Sequence, residues 1–169
     1  MVDLDLAKLA KLARKAIHGW ALAGGALLLA VVLMNVASVI GGVVWRPFPG
    51  DFELTEIGVA IAAFAFLPYC QLENANVTAD IFTAKASPAA IAWFKKLAAL
   101  VALAFSLLLL WCMFQGMADQ REYGYTTAIL QFPIWLAFLP ILLSLLLLAT
   151  AAVITLVDTG KSTPGGAPP

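Results

Sequence analysis

The sequence predicts an all-α integral membrane protein: four transmembrane helices plus an N-terminal amphipathic in-plane helix, with both termini cytoplasmic. Three observations predict it. The 169 residues are 63% hydrophobic and only 12% charged, with a mean hydropathy of +0.95, where a soluble domain carries roughly 25% charged residues. The apolar residues gather into four segments able to cross about 30 Å of hydrocarbon as helices. Lysine and arginine crowd onto one side of that pattern.

Residues 1–18 form the arm. Leu6, Leu9, Ala13, Ala16 and Trp20 recur at spacings of three and four, with Ile17 beside them. Lys8, Lys11, Lys15 and His18 recur likewise on the opposite face. A cationic stripe facing an apolar one suits a helix at the headgroup boundary, with Lys8, Lys11, Arg14 and Lys15 as its anchors on membrane lipids. A plain basic flank without defined structure is the alternative.

Residues 19–157 form the transmembrane domain. Span one, about 19–45, is uncharged. Arg46-Pro47-Phe48-Pro49-Gly50 then reads as a turn, and Asp51 is placed to cap the next helix. Span two covers about 53–72, its apolar run lengthened outward past Glu56 and Glu53. Residues 73–87 are a polar loop ending in Ser87-Pro88, an N-cap followed by a first helical residue. Span three follows at about 90–118, with Lys95 and Lys96 at the interface. The uncharged stretch 124–157 exceeds one span, so Pro133 is expected to start span four at about 133–157. Residues 158–169, rich in glycine and proline, are expected to be a disordered tail. Strands are excluded as spans, since backbone groups in lipid are satisfied only within helices or closed barrels. No signal peptide and no internal repeat is evident.

Orientation follows from basic residues near the span ends. Lys8, Lys11, Arg14, Lys15, Lys85, Lys95, Lys96 and Lys161 fall on one side, and only Arg46 and Arg121 on the other. That places the arm, the middle loop and the tail in the cytoplasm.

Little ionisable chemistry is left. Glu53 and Glu56 share one face of span two near its outer end. Intramembrane carboxyl groups are functional candidates, and an autonomous proton-coupled exporter would use one of them. A buried acid in that role need not move protons, since it can also key one helix to another. The plainer reading is an acidic first turn that favours the helix dipole and pairs with Arg46. His18 is the sole histidine and lies on the basic face, unable to supply a haem or metal set. Cys70 and Cys112 belong near opposite ends of their spans and form no C-x-x-C pair. Catalytic, metal and cofactor residues are therefore expected to be none, and no nucleic-acid partner is expected. Asn35 and Ser38 lie one turn apart in span one, positioned to bond a neighbouring helix, and Gly24, Gly25, Gly41, Gly42 and Gly116 allow close helix approach. Trp45, Tyr123, Tyr125 and Trp135 gather at the outer interface as an aromatic belt. The belt explains them without function; the alternative reading makes them, together with Arg46, Asp51, Asp119, Arg121 and Glu122, a docking surface for an external protein.

Three local patterns resemble a known family. Gly50-Asp51-Phe52-Glu53-Leu54 resembles its approach to the second helix, with Glu53 at the family glutamate. Asn74-Ala75-Asn76-Val77-Thr78-Ala79-Asp80 resembles a cytoplasmic Gly-Gly-His-Ile-x-Val-Asp segment; Asp80 matches, Asn76 replaces the histidine and Ala75 a glycine. Thr126-Thr127-Ala128-Ile129-Leu130-Gln131-Phe132-Pro133-Ile134-Trp135 resembles a Ser/Thr-x-x-Leu-x-x-Pro-x-Trp stretch. In order and topology the chain resembles the small membrane subunit of tripartite ATP-independent periplasmic (TRAP) transporters, the DctQ type. The resemblance implies a large DctM-type membrane subunit that binds substrate and sodium ions, and a periplasmic solute-binding protein that docks on the pair. It implies for this chain a scaffold role in a bacterial inner membrane, in the unfused form, without a cofactor of its own.

Overall fold

Leucine-, alanine- and valine-rich segments free of charge bury their backbone polar groups most simply as helices in lipid. The computed structural model describes residues 2–73 and 88–161, and side chains within 8–73, 93, 94 and 96–157. Four helices make it up: α1 (Val2–Val44), α2 (Asp51–Leu72), α3 (Pro88–Glu122) and α4 (Trp135–Lys161). Each contains a segment long and apolar enough to cross a membrane. The protein is a multi-pass, all-helical membrane protein. Asn76 and Asp80, like Lys85 and Ser87, lie outside the described residues.

The helices do not close into a bundle. α1 packs on α2, α2 on α4, and α4 on α3, so the layer runs α1–α2–α4–α3 with α1 and α3 at its edges. α1 is held by a narrow seam: Ile17, Ala21, Gly24, Val31 and Ser38 are buried, at intervals of three, four or seven. That is the heptad spacing of a helix that buries one stripe against one neighbour. Edge helix α3 likewise buries Ala99 and Ser106, seven residues apart. The remaining face of α1 exposes leucine, valine and isoleucine, and that of α3 leucine, valine, phenylalanine and tryptophan.

α1 and α2 run antiparallel in close register. A Cβ built on Gly24 would stand 2.7 Å from the Ala65 Cβ, and one on Gly58 2.5 Å from the Val31 Cγ2. These glycines let two backbones approach where no larger residue fits. α1 reaches α4 near the other end of α2, where Ile17, Leu72 and Ala151 form a buried cluster and the Trp20 Nε1–H donates to Ser144 Oγ at 2.8 Å.

Three local expectations are corrected. Residues 2–18 are not a separate helix but the first turns of α1, which continues unbroken to Val44. Because Ile17 is level with the end of α2, residues 2–16 extend about 22 Å past the four-helix layer. Helix α2 is capped by Gly50 in a left-handed conformation (φ 77°), with Asp51 as its first helical residue. Helix α4 starts at Trp135 rather than Pro133, because Pro133 pairs with Thr126 in the preceding loop.

The glycine contacts make a direct prediction. Gly58→Val forces a branched, rotamer-restricted side chain against Val31 and is expected to destabilise the fold by about 1–3 kcal/mol. Gly19→Val, at a position with nothing within 4 Å, is expected to change little. Thermal unfolding in mild detergent checks the pair.

Candidate functional site

The chemistry of the chain is concentrated where α1 turns into α2 and the 123–134 loop folds over the start of α2. In α1, Asn35 Nδ2 donates to Thr55 Oγ1 at 2.7 Å and to its own Val31 carbonyl at 2.9 Å. Thr55 Oγ1 donates in turn to the Asp51 carbonyl at 2.7 Å. One turn along, Ser38 Oγ–H donates to Asp51 Oδ2 and accepts the Phe48 N–H at 3.1 Å. Asp51 Oδ1 accepts the Phe52 N–H at 2.8 Å. Asn35 and Ser38 therefore do bond a neighbouring helix, and the turn at 45–50 is closed by the same network. The Asp51 carboxylate is spent on this network and is only partly exposed.

Glu53 serves the loop. Its Oε1 accepts the Ile129 N–H at 2.7 Å and its Oε2 the Leu130 N–H at 3.1 Å, a two-pronged grip of the kind in which a charged acceptor strengthens each bond. The Leu130 side chain meanwhile sits on Gly50, where an added Cβ would lie 2.5 Å from its Cγ. Backbone bonds from Thr127 to Phe132 at 3.0 Å and from Ile134 to Tyr125 at 3.1 Å close the loop on itself. The Thr127 hydroxyl accepts the Phe132 N–H at 3.0 Å. Two of the sequence patterns singled out above are thus in contact, and Glu53 is the bond between them. The expected Glu53–Arg46 ion pair is absent among the described residues.

The other sequence-predicted residues are spread around this end. Arg121, in the last turn of α3, stacks over Trp135 at 5.4 Å, a cation–π contact that joins α3 to the first turn of α4. Tyr123 and Tyr125 lie ring to ring at 5.9 Å. Arg46, Asp119 and Glu122 are exposed. Glu56 is exposed as well, and no hydrogen bond or ion pair engages it among the described residues. The two glutamates, three residues apart, therefore have unrelated surroundings.

At the opposite end, Lys8, Lys11 and Lys15 are exposed on the arm, and so are Leu9 and Leu12; Arg14 is partly buried. His18 ends the arm, edge-on to Tyr69 at 5.0 Å and with Nε2 3.6 Å from Glu73 Oε1. Sequence reasoning missed Thr55, Trp20 and Ser144 as contact residues. Their signal was a lone hydroxyl or indole N–H in an apolar span, a group that seeks a neighbouring helix.

Removing the grip of Glu53 should free the loop without unfolding the layer. Glu53→Ala is expected to speed hydrogen exchange at the Ile129 and Leu130 amides, while Glu53→Gln, which keeps one acceptor oxygen, gives an intermediate rate. Exchange measured by mass spectrometry on loop peptides checks both, with α4 peptides unchanged.

Comparison with curated proteins and with solved structures gives no match. The family model for tripartite ATP-independent periplasmic transporters, DctQ component, matches residues 28–160. That range takes in both glutamates, the turn, the loop that Glu53 binds and three of the four spans entirely, and on it the chain belongs to the DctQ family, the small membrane component of TRAP transporters.

Proposed function

We propose that this chain is the fixed scaffold of a sodium-coupled TRAP transporter. It packs against a large DctM-type subunit that carries substrate and sodium ions, and helps a periplasmic solute-binding protein dock. The observation that carries the reading is the open layer. Helices α1 and α3 are each held along one seam, and their remaining faces expose large apolar side chains. Such faces suit lipid or another hydrophobic subunit, and the polar bonds of the chain are used to hold its own helices and loop in place. Work of that kind is packing and anchoring.

In this reading the loop end faces the periplasm. Arg46, Asp119, Glu122 and Tyr123 are its exposed docking groups, while Arg121 and Asp51 act through the contacts they make within the chain. The arm is the anchor at the opposite, cytoplasmic surface: Leu9 and Leu12 are 63% and 67% exposed, apolar area that suits an acyl-chain boundary, beside lysines that suit anionic headgroups.

The test is reconstitution. The chain alone in liposomes is expected to move no solute; with the large subunit and loaded periplasmic protein, uptake is expected to follow a sodium gradient. Flux by the chain alone that follows a proton gradient and is lost in Glu53→Gln or Glu56→Gln would instead establish a self-sufficient exporter. Arg46→Glu is expected to weaken engagement of the periplasmic protein while leaving membrane assembly intact, with the wild-type advantage fading as salt screens exposed charges. Concentration dependence of uptake on the periplasmic protein, at low and high salt, reads that effect.

A further inference from the structure

Helix α2 is flanked by α1 and α4, and one face remains uncovered. Phe52, Glu56, Val59, Ala63 and Leu67 are exposed along it, spaced four, three, four and four residues apart. That spacing is a single stripe running most of the helix. Four of the five side chains are apolar. The fifth, Glu56, lies about 7.5 Å inward from Asp51 along the axis, and among the described residues nothing bonds it.

The contrast with Glu53 is informative. Glu53 is satisfied by the loop of its own chain, whereas Glu56 presents a carboxyl group outward at a depth where hydrocarbon offers no hydrogen-bond donor. Its stem is two methylenes long, shorter than the chains of lysine or arginine that reach headgroups from such depths. Phe52, one turn nearer the end on the same stripe and 76% exposed, stands over the route outward. A polar group so placed is satisfied by a donor brought by a neighbour, and intramembrane carboxyl groups characteristically face protein rather than lipid. Ala63, midway along the stripe, lets a neighbouring helix come close.

We propose that this stripe is the face on which the large membrane subunit sits, and that Glu56 accepts a hydrogen bond from a basic or amide side chain on one of its transmembrane helices. The proposal rests on the scaffold reading and adds to it the face and the chemistry of the contact. The partner's donor lies about one and a half turns inside the loop-end interface. The partner helix lies over the side of α2 opposite the one on which Gly58, Ala62 and Ala65 are buried against the rest of the chain.

Photocrosslinking in the intact transporter tests it. A benzophenone amino acid placed at Val59 or Ala63, with Glu56 retained, is expected to give adducts with the large subunit; Leu108, on α3, serves as a reference position. Glu56→Leu is expected to lower recovery of the large subunit in a detergent pull-down by roughly three- to tenfold, with Glu56→Gln recovering more than Glu56→Leu because its amide oxygen still accepts. Adducts from Val59 and Ala63 only to lipid, or to a second copy of this chain, overturn the proposal, as does unchanged recovery with Glu56→Leu. Adducts with the large subunit from Leu108 alone overturn the face and leave the scaffold reading standing. Failure of the unaltered chain to recover a large subunit overturns the scaffold reading itself.

Discussion

Helices in lipid gain nothing from hiding apolar surface, because the solvent is as apolar as they are. What orients α1 on α2 is therefore a short list of polar bonds and close backbone approaches: Asn35 to Thr55, Ser38 to Asp51, Gly24 on Ala65 and Gly58 on Val31. The rest of the layer depends on that antiparallel register. It sets Ile17 beside Leu72 and Ala151, brings Trp20 within reach of Ser144, and starts α2 at a glycine whose left-handed conformation leaves Leu130 room to lie across it. A one-residue slip of α1 would break both side-chain bonds and move Val31 off the space that Gly58 leaves for it.

The same economy governs the loop. A 12-residue connection between two transmembrane helices (residues 123–134) has too little apolar surface to fold alone, yet this one is closed by backbone bonds and held at its tip by Glu53. A carboxylate suits the task because two adjacent amide N–H groups converge on two oxygens, and an amide side chain would offer one acceptor and one misplaced donor. Arg121 on Trp135 secures the base of the loop from the other side. The loop surface is thus fixed to α2, α3 and α4 together, and in the scaffold reading a protein docking on it meets a preformed shape.

Much of this was legible in the sequence. Hydropathy and length gave the four spans, since a long uncharged stretch has few alternatives to a membrane helix. Asn35 and Ser38 were recognisable as interhelical donors because a polar group in such a stretch is costly unless bonded. Other features were not legible, for definable reasons. Spacing placed Glu53 and Glu56 on one face, but one helical face is wide enough to turn a side chain toward a loop and leave its neighbour exposed. The partner of Glu53 is backbone, which carries no residue signature, so Arg46 was the natural guess. Pro133 suited a helix start by its own φ and missing N–H, but its pairing with Thr126, seven residues away, is set by loop closure. The layer order α1–α2–α4–α3 could not be read at all, because helices apolar on every side do not announce which neighbour they face.

An open layer has a mechanical consequence. In a closed bundle every helix is held by two neighbours along its length, whereas here α3 packs chiefly on α4, and α1 packs on α2 and meets α4 only near one end, through Ile17 and Trp20. Edge helices α1 and α3 each hinge on one seam, and their fixity depends on how well that seam is keyed. α1 is keyed by directional bonds and by glycine contacts that leave one register; α3 is tied at its loop end by Arg121 and along its length by small buried residues such as Ala99 and Ser106. For a scaffold, this arrangement puts the stiff pair in the middle and the adaptable, apolar helices at the rims. A partner seated over α2 would close the missing half of the packing and immobilise α1 and α4 against it. In that reading the chain is one side of an interface, and its own fold supplies register and shape more than enclosure.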